Sequence, residues 1–195
     1  MITNHTQLLN ALIEKYGLKS YLEIGVQNPA NNFDKINIED SHKQGVDPDV
    51  EGRPDILQHD SDWFFNNYNE GFKFDLIFID GLHHADQVKR DFENSLRCLS
   101  DNGFIVIHDV LPENEEGTKV PRETKMWWGD VYKFAMNMQK YYGLKFKTFD
   151  IDNGCMLVWV DGNPILDTLK HDEYTYQNYI DVGHHLMNVT STVEI

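Results

Sequence analysis

A chain of 195 residues, 41% of them hydrophobic and 12% aromatic, is long enough for one ordinary domain with a sizeable core. Its 32 acidic residues against 17 basic ones give a formal net charge of -15. That balance excludes a general binder of nucleic-acid backbones, which needs clustered Lys and Arg.

Apolar Leu8, Leu9, Leu12 and Ile13 recur at helical spacing, so Asn4–Tyr16 reads as an amphipathic helix stopped by Gly17. MITNHTQLLN has neither a basic start nor a long apolar run, so no signal peptide and no membrane span are expected, and the expected compartment is the cytoplasm. Tyr21–Ile24 and Lys43–Val46 read as short strands, Asp55–Leu57 as a weaker one, and Ser61–Tyr68 as a helix capped by Asp60 or Ser61. Phe74–Ile79 and Gly103–Ile107 are continuous apolar runs, the pattern of central strands buried on both faces. Between them Asp86–Leu99 is helical, with Val88, Phe92, Leu96 and Leu99 on one face. Leu111–Met126 is polar, contains two prolines and reads as a long loop of the functional kind. A helix over Asp130–Tyr142 follows, then an antiparallel pair, Lys145–Phe149 and Met156–Val160, turning near Asn153–Gly154. Asp172–Asn188 has helical spacing. Cys98 and Cys155 fall in apolar segments and are expected as buried thiols without a disulfide. Strands alternating with helices imply a doubly wound, mostly parallel sheet. Right-handed crossovers then bring the ends of the strands at Tyr21, Lys43, Phe74 and Gly103 to one edge.

Three groups of residues at that edge have chemistry to offer. Gly25 follows the first strand, where a ligand can approach the backbone closely, and Asp47 ends the second, where a carboxylate can accept both ribose hydroxyls of a nucleoside. An ordinary turn and a surface Asp explain the same residues. No G-x-G-x-x-G is present, which disfavours a nicotinamide enzyme. Asp80, His108 and Asp109, with His83 and His84 beside them, form the second group. Two carboxylates and an imidazole suit a divalent cation that would activate a hydroxyl or water. Histidine could equally serve as a metal-free base, or merely cap the next helix. Trp127-Trp128-Gly129-Asp130 is the third, either a stacking wall and lid or an anchor for the helix after it.

These residues together resemble a class I S-adenosylmethionine-dependent methyltransferase, of a methyltransferase family 24-like branch. The resembling motifs are YLEIGV at Tyr21, GVDPD at Gly45, SDWFF at Ser61, the block Phe74–Pro112, WWGDVYKF at Trp127 and DIDNGCMLV at Asp150. The resemblance implies a single domain over residues 1–195, with a Rossmann-like, seven-stranded α/β sheet, helices on both faces and an antiparallel last strand. It places Glu23 and Gly25 by the methionine part of the cofactor, Asp47 on the ribose, Asp60 and Ser61 near the adenine, and Asp80 beside the reacting centre. Gln27-Asn28-Pro29-Ala30 stands where further glycines are common, so the first loop must bend by other means. A more distant resemblance, to metal-dependent sugar O-methyltransferases, implies magnesium or manganese on Asp80 and Asp109, with His108 in place of a second acid. The expected activity is transfer of a methyl group to a hydroxyl of a sugar or other small-molecule or glycan acceptor, with His83 or His108 as base; a homo-oligomer is left open. Two other readings stay open: a cofactor-binding protein without catalysis, and a metal-dependent hydrolase or hydroxylase on a similar sheet.

Overall fold

The computed structural model describes residues 1–195 apart from 51, 68–70 and 165–169. Its strands are β1 (Tyr21–Ile24), β2 (Lys43–Val46), β3 (Ile56–Leu57), β4 (Phe74–Ile79), β5 (Leu99–Ile107), β6 (Leu144–Phe149), β7 (Cys155–Val160) and β8 (Val189–Thr190). They form one sheet in the order β3-β2-β1-β4-β5-β7-β6-β8. β7 runs antiparallel to both its neighbours, and every other pairing is parallel. This is the expected doubly wound sheet with one strand more: β8 adds in parallel to β6, pairing Thr148 with Val189 and Phe149 with Thr190. β8 is two residues long and follows a helical segment, so its pattern did not stand out in the sequence.

Side-chain alternation divides the core between the sheet's two faces. Tyr21, Leu76, Phe78, Val106 and Leu157 pack with Leu8, Leu9 and Leu12 of α1 (His5–Tyr16). Leu22, Ile24, Ile77, Ile79, Ile105 and Ile107 pack on the other face. There they meet α2 (Ser61–Asn67), α3 (Ala85–Cys98) and α4 (Val131–Ala135). The expected end of α2 at Tyr68 lies outside the described residues. Asn4 caps α1 by accepting from Gln7 N at 2.9 Å, and Gly17, at φ +66°, closes it. The helix expected over Asp130–Tyr142 is broken instead. α4 has five residues, and a 3-10 turn at Met138–Lys140 follows. Asn137 stands between them and ties them to the tail: its side chain donates to Lys133 O and Asp172 O and accepts from Asp172 N. The C-terminal helical segment is likewise irregular, with α5 (Tyr176–Asn178), a π turn at Tyr179–Gly183 and α6 (His184–Leu186). Both cysteines are buried and free. Among the described residues no helix is long and apolar enough to cross a membrane.

The order reverses between β1 and β4, the topological switch point at which such sheets open a crevice at their carboxyl ends. Gly25, Asp47, Asp80 and His108 each stand one residue past the end of β1, β2, β4 and β5.

Candidate active site

A cleft of ≈ 810 Å³ opens at that switch point. It is lined by Glu23, Gly25, Asp47, Asp60, Ser61, Asp80, His83, His108 and Asp109, whereas His84 and Asp130 line a separate pocket. His5, Asn32, Gln87, Arg122 and Trp127 line it as well.

Gly25 is demanded by packing. It sits at φ +88°, and a Cβ there would stand 2.2 Å from the carbonyl oxygen of Asp80. The loop after β1 therefore rests directly on the loop after β4. The bend expected two residues later falls on Gln27, held at φ 50° without being glycine. Its N–H donates to Asp47 Oδ2 at 2.8 Å, while Asp47 Oδ1 accepts from Asp49 N at 2.8 Å. Asp47 thus ties two loops together, and each of its oxygens keeps a lone pair for a ligand. Glu23 shares its face of β1 with Tyr21 and is 1% exposed. Tyr21 donates to its Oε2 at 2.5 Å and Asn32 Nδ2 at 2.9 Å. Burial, more than the nearby Asp80 charge, pushes its pKa up to about 8. Asp60 caps α2, accepting from Trp63 N at 2.7 Å, and Ser61 Oγ accepts from Gln87 Nε2 at 3.1 Å.

The second group of residues comes together as two histidines and two carboxylates with distinct parts. His108 Nε2 lies 2.6 Å from the backbone oxygen of Asp152, and its Nδ1 3.1 Å from Asp80 Oδ1. A carbonyl oxygen only accepts, so Nε2 carries a hydrogen. Burial opposes charge on this ring, but Asp80, Asp109 and Asp152 outweigh it and raise its pKa to about 10. Its Nδ1 faces both carboxylates, Asp80 Oδ1 at 3.1 Å and Asp109 Oδ2 at 3.7 Å. The expected metal set of Asp80, His108 and Asp109 thus comes together, and His83 stands beside the same two carboxylates. Asp80, His83 and Asp109 each present a donor atom within 4.8 Å of the others'. His83 Nδ1 faces Trp127 O at 3.1 Å, which fixes its hydrogen there. Its Nε2 is left between Asp109 Oδ2 at 3.2 Å and Asp80 Oδ1 at 3.4 Å. Burial lowers the pKa of His83, and hydrogen bonding and charge from those carboxylates more than reverse it, so the net shift is upward.

Asp80 is held well below the carboxylate range, because its two histidines overcome burial. Asp109 is raised, by burial first and by Asp80. Asp109 sits at φ 57°, and its Oδ1 is buried with no hydrogen-bond partner. Strain and an orphaned acceptor in one residue are the mark of a group kept for a ligand. Two carboxylates with such an orphan fit a hard divalent cation.

His84 stands at the N-cap of α3 but makes no side-chain cap. Asp130 supplies it from a distant segment, its Oδ1 accepting from Ala85 N at 2.7 Å. Asp130 N donates to His83 O at 3.2 Å, and a Cβ on Gly129 would stand 1.7 Å from that oxygen. Trp127 stacks on His83 with ring centres 5.2 Å apart. Trp127-Trp128-Gly129-Asp130 is thus an anchor, with Trp127 in the wall of the cleft. The sequence reading did not single out His5 and Asp152, whose Nδ1 and Oδ2 lie 2.5 Å apart beneath His108. Asp152 stood in a quoted motif, DIDNGCMLV, but nothing in a single chain pairs it with a histidine 147 residues earlier.

A family model described as a methyltransferase domain matches residues 8–110, more than half of the chain. Solved structures share the fold. The O-methyltransferase TomG from Streptomyces achromogenes, in complex with S-adenosylmethionine, is 14% identical, with a TM-score of 0.59 over 80% of this chain and 79% of that one. A Podospora anserina methyltransferase bound to S-adenosylhomocysteine is 15% identical, with a TM-score of 0.57 over 80% and 77%. An O-methyltransferase from Bacillus cereus, also with S-adenosylhomocysteine, is 13% identical, with a TM-score of 0.56 over 80% of each chain.

Proposed function

The chain belongs to the methyltransferase-domain family, and from that premise we propose that it is a single-domain O-methyltransferase that uses S-adenosylmethionine on a small hydroxylated acceptor. The observation that carries the hydroxyl chemistry is His83. Its Nδ1 hydrogen is fixed by a carbonyl, and its Nε2 lies between two carboxylates at the mouth of the cleft.

S-adenosylmethionine, when bound, supplies a methyl carbon made electrophilic by a sulfonium. The task left to the protein is to align an acceptor oxygen with that carbon and take the oxygen's proton. Asp47 holds the ribose, Glu23 and the Gly25 turn the methionine end, and Asp60 and Ser61 the adenine end. His83 Nε2 receives the acceptor's proton, and Asp80 and Asp109 stabilise the imidazolium that results. His108 keeps Asp80 ionised and oriented. Asp80 and Asp109 are the residues that would hold magnesium or manganese, which would lower the pKa of a hydroxyl resting on it. Trp127 and the lid exclude water from the base.

Calorimetric titration with S-adenosylhomocysteine tests the cofactor, with and without manganese. Absence of binding would overturn the reading. The base is tested with His83→Gln in an assay of methyl transfer to hydroxylated small molecules. Turnover should fall by about 10²–10⁴ with S-adenosylhomocysteine affinity retained. Unchanged turnover would remove His83 from the mechanism.

A further inference from the structure

Six carboxylates line the described part of the cleft, from Glu23, Asp47, Asp49, Asp60, Asp80 and Asp109, and one strong cation, Arg122. Although acids outnumber bases 32 to 17 in the chain, no carboxylate among the described residues forms an ion pair with Arg122. The lid's own backbone holds it instead. Nε donates to Thr124 O at 2.8 Å and Nη2 to Lys125 O. These two bonds order the guanidinium and leave Nη1 free to donate. The lid is pinned in turn: Trp127 Nε1 donates to Lys119 O at 2.7 Å, and Trp128 N and Gly129 N both donate to Gly117 O. Arg122 Cζ lies 5.7 Å from the centre of the Trp127 ring, and that ring lies 5.2 Å from the His83 imidazole. An ordered, unpaired guanidinium, an indole and a base thus stand in succession along one wall.

We infer that the acceptor carries an anionic group, a carboxylate or phosphate, separated from its reacting hydroxyl by a ring-sized spacer. Arg122 reads that anion while Trp127 lies along the spacer and His83 meets the hydroxyl. The inference rests on the methyltransferase reading and adds the substrate class. The aspartates on the β2 and α2 side of the cleft, Asp47, Asp49 and Asp60, give it selective force. They disfavour an anion at that end, so a charged acceptor is steered to the end that holds Arg122. Guanidinium N–H groups match the oxygens of either anion.

The test is titration of three probes, D-glucuronate, D-glucose 6-phosphate and D-glucose, into the protein saturated with S-adenosylhomocysteine. At least one charged probe is expected to bind about tenfold or more tighter than glucose. Arg122→Gln should bring that probe to the level of glucose and leave glucose and S-adenosylhomocysteine affinities unchanged, and Arg122→Lys should keep part of the preference. Which charged probe gains more separates carboxylate from phosphate. Equal binding of all three probes, or binding of none, overturns the inference. So does an equal loss for charged and neutral probes in Arg122→Gln, which would make Arg122 a strut of the lid. A loss of S-adenosylhomocysteine affinity in that variant also overturns it, by assigning Arg122 to the cofactor's own carboxylate. Failure of the unaltered protein to bind S-adenosylhomocysteine would instead sink the methyltransferase reading.

Discussion

Glu23 is an acid folded into a place where its charge is unwelcome. It is 1% exposed, and the phenol and amide that bond it compensate only part of its desolvation. With a folded pKa near 8 against an ordinary 4.5, it is protonated in the native state at neutral pH. Below 4.5 both states hold the proton and the stabilisation is complete. Between 4.5 and about 8 only the folded state holds it, so stability is lost as pH rises through that window. Glu23→Gln keeps the shape and removes the proton. Urea unfolding of both proteins at pH 5 and pH 8 should show the variant gaining on the parent by about 1–3 kcal/mol at the higher pH. Parallel curves would mean that Glu23 is charged when folded. The identity of Glu23 was plain from its place before Gly25. Its protonation was not, because Asn32 and α1, which bury it, are brought there by the fold.

Among the elements, the junction of the lid with α3 carries most of the site's order. Asp130 caps α3 through Ala85 N, and Gly129 lets the lid touch His83 O. Asp130→Ala should cost about 1 kcal/mol, seen as a melting temperature lower by about 2–4 °C. Gly129→Ala is more severe for function. A methyl group 1.7 Å from His83 O, on a residue at φ +59°, must push the lid off the base loop. Methyl transfer should fall at least tenfold, while S-adenosylhomocysteine affinity changes little, since Glu23 lies in β1 and Gly25 and Asp47 follow β1 and β2. A proportional loss of both would place the lid on the cofactor. The sequence expectation offered His83 or His84 as cap, because the cap normally lies beside its helix. The actual cap is 45 residues away.

On the scale of the whole molecule, the tail is part of the core rather than an appendage. Met187 is fully buried, Thr148 Oγ1 donates to its carbonyl at 2.7 Å, and β8 extends the sheet. Met187→Ala should cost about 2–5 kcal/mol. A loss under 0.5 kcal/mol in urea unfolding would show that the tail packs elsewhere in solution.

Central strands, flanking helices and the residues at strand ends were legible because each leaves a local trace. Buried parallel strands are continuous apolar runs, amphipathic helices repeat every 3.6 residues, and Asp47, Asp80 and Asp109 follow directly on their strands. Side-chain assignments within the site left no such trace. Which nitrogen of His83 and which of His108 is left facing the carboxylates depends on which carbonyl meets the other one. Those carbonyls belong to Trp127 and Asp152, each 44 residues from its histidine. The break after α4 depends on Asn137 binding Asp172, 35 residues on. The sequence by itself determined the sheet, the position of the cleft and the chemical types at its edge. Only the tertiary structure decided what faces each nitrogen of His83 and His108, because the carbonyls of Trp127 and Asp152 and the carboxylates of Asp80 and Asp109 meet them from distant segments.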